Sequence, residues 1–151
     1  MQCKKFLIAD DDPEFRELME DILNSVFKDE SVTVIHAADG REAKDKYEKS
    51  CQGEDAPIDV VITDFMMPEA SGSDVIDYVM KRKPVPIVVV SAFQEAVKHD
   101  FIQEGAIYFL KKPFNMSAAH NALHAAAALK INPQDIQKAV DAIERLRKLN
   151  L

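Results

Sequence analysis

The sequence is poor in cysteine and in clustered positive charge, and it has no long apolar run. Its two cysteines, Cys3 and Cys51, follow no metal-ligand spacing, and a single pair is too few for a disulfide framework. Reduced thiols in a cytosolic protein are the expectation. No apolar stretch approaches the ~18 residues of a membrane span, and MQCKK leads into only a short apolar segment, unlike a signal peptide. Lys and Arg number 19 against 26 Asp and Glu, a formal net charge of −7. That balance argues against a nucleic-acid surface, which needs a concentrated basic face. There is no internal repeat and no Gly/Ser linker, and the one biased segment is AAHNALHAAAAL (118–129).

What is present is ordered alternation. The 151 residues, 47% hydrophobic and 30% charged, suit one compact domain. Five short apolar runs, FLIA (6–9), VTVI (32–35), IDVVIT (58–63), IVVV (87–90) and IYFL (107–110), read as strands. After the first, Phe15, Leu18, Met19, Ile22, Val26 and Phe27 fall on one face of a helix that Asp12 can cap and Pro13 can begin. Further helical patterns cover about 40–50, 72–82, 93–104 and 114–129. Continuously apolar strands alternating with helices predict an α/β fold: a doubly wound five-stranded parallel sheet with five flanking helices. INPQ (131–134) then breaks the chain before a last helix over 133–149. Residues 1–130 are thus one domain, and 131–151 a C-terminal helical extension.

The stretch FLIADDDPEF (6–15) ends an apolar run in three aspartates, Asp10, Asp11 and Asp12. Two unit charges 4 Å apart repel by about 4 kcal/mol at a protein-like dielectric, so the side chains must diverge or be compensated. In open α/β sheets, ligands bind outside the carboxyl ends of the strands. That rule gathers Asp10 and Asp11 after the first strand, Asp64 after the third, Ser91 after the fourth and Lys112 after the fifth. In the flavodoxin-like order 2-1-3-4-5 these strands are neighbours about 4.8 Å apart. Carboxylate oxygens beside one Lys suit a hard divalent cation such as Mg²⁺. Asp12, turned away, caps the helix.

These landmarks, the acidic pair, Asp64 in D-x-M-M-P with Gly72 shortly after, Ser91–Ala92 and Lys112–Pro113–Phe114, resemble the receiver domain of the two-component response regulators. The resemblance covers about residues 4 to 129 in the family's order and spacing. It implies that Asp64 accepts a phosphoryl group from the phosphohistidine of a sensor histidine kinase or phosphotransfer protein. It further implies Mg²⁺ (or Mn²⁺) held by Asp11 directly, by Asp10 mostly through water, by Asp64 and by the Met66 carbonyl. Ser91 and Lys112 would sense the phosphoryl group, and small Ala92 would leave its approach open. The Lys112–Pro113 bond would be cis. Phe109 stands at the switch position, where Tyr is commoner, and Lys111 stands where a small residue is frequent. Met66 and Phe93, both bulky and apolar, would flank the path of the hydrolytic water. The expected output is protein binding by the face of the 93–104 helix, the fifth strand and the 114–129 helix.

Other readings stand beside this one. Taken singly, Asp10 and Asp11 read as a solvated helix entry, Asp64 as a turn former, and Ser91 and Lys112 as surface residues. His120 and His124 have i, i+4 spacing but no third ligand nearby, and read as a solvated pair; His36 and His99 read as isolated polar positions. Met66 and Met67 read as packing under their loop. The alanine-rich face is either helix propensity or an interface. In the tail, Ile136, Ala139, Ile143 and Leu146, flanked by Val140 and Leu149, form a stripe that packs on the same domain or pairs with another chain, leaving a homodimer through either helix open. The extension could also begin a linker, making the chain the receiver fragment of a larger transcription factor or signalling enzyme. A small Asp-nucleophile phosphohydrolase would need D-x-D-x-T/V, and a flavin binder a Ser/Thr/Gly-rich loop after the first strand; neither is present. The reading is a receiver whose chemistry is directed at itself, not an enzyme with an independent substrate.

Overall fold

The structure, a computed structural model, describes residues 3–53, 56–67, 69–91 and 101–148. In chain order the elements are β1 (Cys3–Ala9), α1 (Pro13–Val26), β2 (Ser31–Ala37), α2 (Gly40–Cys51), β3 (Val60–Asp64), α3 (Gly72–Arg82), β4 (Ile87–Ser91), β5 (Phe101–Glu104), β6 (Ile107–Lys111), α4 (Met116–Ala128) and α5 (Pro133–Lys148). They form one sheet in the order β2-β1-β3-β4-β6-β5, parallel except for β5, which runs antiparallel to β6. The five expected strands thus hold the expected relative order, and a sixth closes one edge.

The continuously apolar strands are those covered on both faces. All five residues of β4 are buried, as are the first four of β3 and of β6. On one face, Phe6, Ile8, Ile62, Val88 and Leu110 meet α1 and α4. The apolar face of α1 buries Phe15, Met19, Ile22, Leu23 and Val26, while Leu18, at its rim, is exposed. In α4, Ala118, Ala119, Ala122 and Ala126 are buried with Leu123, so the alanine face packs within this chain, on its own sheet. Small side chains let that helix approach closely.

The other face carries α2, α3 and α5, and here one expectation is corrected. Residues 101–104 are strand rather than helix, while 93–100 lie outside the described residues. The reason is competition for the same apolar surface. Ala139, Ile143 and Leu146 of α5 join one cluster with Ile87, Val89, Ile107 and Phe109, covering the sheet beside α3. With that surface occupied, Phe101–Glu104 pair with β6 through a two-residue turn at Gly105–Ala106. This pairing supplies backbone partners to an edge that would otherwise lack them. The tail stripe therefore packs on its own domain, and five helices are seen among the described residues.

Candidate functional site

The carboxyl ends of β1, β3, β4 and β6 converge as the strand-end rule predicts. Asp10 follows β1 and is almost fully buried; its backbone N–H donates to the Ala37 carbonyl at 3.1 Å. Its Oδ1 accepts the Asp12 backbone N–H at 2.8 Å, and its Oδ2 lies 3.3 Å from Lys112 Nζ. Asp12 points elsewhere and caps α1, accepting the Glu14 N–H at 3.0 Å. Asp11 stands exposed between them. The three adjacent carboxylates are tolerated by divergence and compensation together.

Asp64 ends β3 with its side chain 16% exposed, 3.8 Å from Lys112 Nζ, so one ammonium serves two carboxylates. Burial first, and the charge of Asp10 second, push the Asp64 carboxyl above the usual carboxylate range, with Lys112 opposing. Oxygens of Asp10, Asp11 and Asp64 all lie within 4.8 Å of one another. An oxygen-only donor set of this kind fits a hard divalent cation such as Mg²⁺. Gly72 is required beside it: its N–H donates to the Phe65 carbonyl at 2.8 Å, and an added Cβ would come within 2.3 Å of the Asp64 carbonyl oxygen.

Ser91 ends β4 and is buried; its carbonyl accepts the Lys112 backbone N–H at 2.7 Å. Lys111, in register with Ser91, belongs to β6, whereas Lys112 lies beyond it and reaches the acidic cluster. The Lys112–Pro113 bond is cis. Phe109 is buried in the cluster shared with α5.

Other expectations meet different fates. Met67 packs against the core, but Met66 is 59% exposed rather than tucked under its loop, because its position faces solvent beside Asp64. Ala92, Phe93 and His99 lie outside the described residues. His36 is not isolated: its Nε2 lies 2.6 Å from Glu20 Oε1. His120 and His124 are exposed with ring centroids 4.4 Å apart, and no carboxylate or thiol joins them in a metal-type cluster among the described residues. Periodicity marks Phe15 only as core, yet Lys112 Nζ sits 3.9 Å from its ring centroid. No local signal announces that contact, since the two residues are 97 positions apart, 112 − 15.

Fold and site together define a flavodoxin-like α/β domain with an acidic, oxygen-lined pocket at the strand ends. The family model for the response regulator receiver domain matches residues 6–124, and the chain belongs to that family. It is 35% identical over 123 residues to the chemotaxis protein CheY of Thermotoga maritima, covering 80% of this chain and 95% of that protein. It is 29% identical over 143 residues to the response regulator PilR of Pseudomonas aeruginosa, covering 93% of this chain. The chain spans only 30% of PilR's length, and 28% of a protein-glutamate methylesterase/protein-glutamine glutaminase of Pyrococcus horikoshii that is 37% identical over 113 residues. Among solved structures, the CheY4 chemotaxis protein of Vibrio cholerae superposes with a TM-score of 0.63 at 26% identity, covering 83% of this chain and 99% of that one. A receiver domain protein of Clostridium thermocellum superposes over 98% of this chain and 99% of its own, with a TM-score of 0.61 at 23% identity, a likeness of fold. The chain is thus a response regulator receiver of the two-component type. Among the described residues no helix is long and apolar enough to cross a membrane.

Proposed function

We propose that Asp64 accepts a phosphoryl group from the phosphohistidine of a histidine kinase or phosphotransfer protein. The single observation that carries this reading is Lys112 Nζ between Asp10 and Asp64, at 3.3 and 3.8 Å. An Asp64 oxygen attacks phosphorus, the P–N bond breaks as the P–O bond forms, and the imidazole leaves with the electron pair and takes up a proton. Lys112 offsets the charge on the transferring oxygens, which is the main protein contribution to such reactions. Mg²⁺ or Mn²⁺, when bound, supplies further positive charge there. Asp10, Asp11, Asp64 and the Met66 carbonyl would hold it. Both Asp10 oxygens already have partners, which supports Asp11 as the direct ligand and Asp10 as one acting through water.

Ser91 and Lys112 then hold the phosphoryl oxygens through charge-assisted hydrogen bonds, and Phe109 shifts in response. Since Phe109 shares its cluster with Ile143 and Leu146, α5 and the β5–β6 edge feel that shift. The downstream protein accordingly reads a surface of α4, β5 and α5, the expected face being altered because its 101–104 part is strand while its 93–100 part lies outside the described residues. The partner is a protein rather than a nucleic acid, in keeping with the net charge of −7. The chemistry is self-directed and the compartment cytoplasmic.

The test is acetyl phosphate with Mg²⁺, followed by intact-protein mass spectrometry. Wild type should gain one phosphoryl group, Asp64→Asn none, and EDTA should stop the gain. Equal labelling of wild type and Asp64→Asn would end this reading.

A further inference from the structure

Lys112 is held on three sides. Two are the carboxylates of Asp10 and Asp64; the third is the face of Phe15, whose centroid lies 3.9 Å from Nζ. Phe15 is buried in the first turn of α1, and its ring is set by the edge of Phe114, with centroids 6.3 Å apart at 79°. The segment Lys112–Pro113–Phe114 therefore wraps one aromatic ring with an ammonium on its face and a second ring against it. Helix α1 is itself tied to the pocket, because Asp12, its N-cap, donates its backbone N–H to Asp10.

We propose that Phe15 is a positioning residue for phosphoryl transfer, its ring face keeping the Lys112 ammonium over the carboxylate cluster. The proposal rests on the role given to Lys112 above. A Lys side chain is long and flexible, and this one is 29% exposed, so it has solvent to escape into. Carboxylates alone hold it only while their charge is uncompensated. A divalent cation in the same pocket draws on those oxygens and repels the ammonium, whereas the attraction of the ring quadrupole for a cation persists. The ring thus holds the amine when the carboxylates hold it least. Phe15 touches no reacting atom and acts through Lys112.

Phe15→Leu and Phe15→Met keep an apolar side chain without the π face; Phe15→Tyr restores the face. The first readout needs no phosphodonor: the ε-methylene protons of Lys112, under the ring current, should resonate upfield in wild type and Phe15→Tyr. They should move to ordinary lysine shifts in Phe15→Leu and Phe15→Met, with and without Mg²⁺. The second is the rate of Asp64 labelling by acetyl phosphate with Mg²⁺, which should fall about three- to tenfold in the Leu and Met variants and recover in Tyr. In a Lys112→Ala background, Phe15→Leu should cost nothing more. A Lys112 shift indifferent to Phe15, or the same loss with and without Lys112, would overturn the proposal. A wild type that takes no label would instead overturn the receiver chemistry, and the proton shifts would still decide whether the ring holds the amine.

Discussion

The backbone N–H of Ala106 donates to the carbonyl of Asp135 at 3.1 Å, joining the β5–β6 turn to the first turn of α5. Gly105 beside it has φ +60°, and an added Cβ would lie 2.3 Å from the same Asp135 oxygen and 2.7 Å from Lys138 Cβ. Asn132 and Asp135 cap α5 reciprocally, each side chain accepting the other's backbone N–H, at 2.9 and 3.1 Å. Arg145 pairs with Glu104 at 2.9 Å and Arg147 with Asp74 at 3.3 Å. The last helix is seated through backbone contact and core packing, with ion pairs at its rim.

Gly53 supplies the control for that contact, since it has φ +80° and nothing within 4 Å of an added Cβ. Gly53→Ala should cost only the left-handed backbone penalty, about 1 kcal/mol. Gly105→Ala should cost about 3 kcal/mol, because a main-chain oxygen cannot move aside cheaply. Urea unfolding measures both, and hydrogen exchange should show the added loss concentrated in 133–148. Equal losses would mean that the seat of α5 does not depend on Gly105.

Magnesium should stabilise the folded chain by mass action, about 2.7 kcal/mol at roughly a hundred times its dissociation constant. Thermal melts with and without Mg²⁺ read this directly. Asp11→Asn should remove most of the gain. Asp64→Asn should melt higher than wild type without metal, because it relieves the burial and Asp10 repulsion that raise the Asp64 carboxyl, and should gain less from Mg²⁺. A wild type indifferent to Mg²⁺ would remove the pocket from consideration as a cation site.

Between α2 and α3, Glu48 accepts from Arg82 Nε at 2.8 Å and Nη2 at 3.1 Å, and from the Tyr78 hydroxyl. The Arg82 bond first, and the Tyr78 bond next, lower its carboxyl to about 2. A depressed carboxylate contributes stability above its unfolded value, about 4.3, and loses it as pH falls through the folded one. The difference in melting temperature between wild type and Glu48→Gln should therefore be flat above about pH 5 and close toward about pH 2. High salt should shrink it throughout, because the pair is exposed to solvent. A difference that grows on acidification would contradict the sign.

The aspartyl phosphate should be comparatively long-lived. Met66, two residues after Asp64, is apolar and cannot hydrogen-bond an attacking water into line. Phe93, whose position lies outside the described residues, carries the same expectation from sequence. Met66→Asn and Phe93→Glu should shorten the phosphoryl half-life several-fold without kinase or phosphatase present. Unchanged or slower loss would show that neither residue gates the water.

Much of the pocket is legible in the sequence alone. Apolar runs ending in Asp10, Asp64 and Ser91 are local patterns, and strand order converts them into neighbours by a rule of topology. The Asp12 cap and Pro13 start of α1 are equally local, because a cap bonds only within its own first turn. Leu18 and Leu23 mark the limit even inside one helix. Periodicity places Leu18 on the apolar face, but the rotation of α1 on the sheet exposes it and buries Leu23.

What only the tertiary structure decided is where two segments compete or two distant side chains meet. Phe101–Glu104 carry apolar spacing compatible with helix or strand, and occupation of the sheet face by Ala139, Ile143 and Leu146 selects strand. The tail stripe announced that it must bury itself but not against what. The approach of Lys112 to Phe15 has no sequence signature at all. Cap and turn signals are written within a few residues because their hydrogen bonds are short-range in the chain. A buried strand is legible because its apolar run is local, even though its ladder partners, such as Phe6 and Val60, are far apart in sequence. Packing partners are chosen by which apolar surfaces remain uncovered once the sheet has formed, and that depends on the whole chain at once.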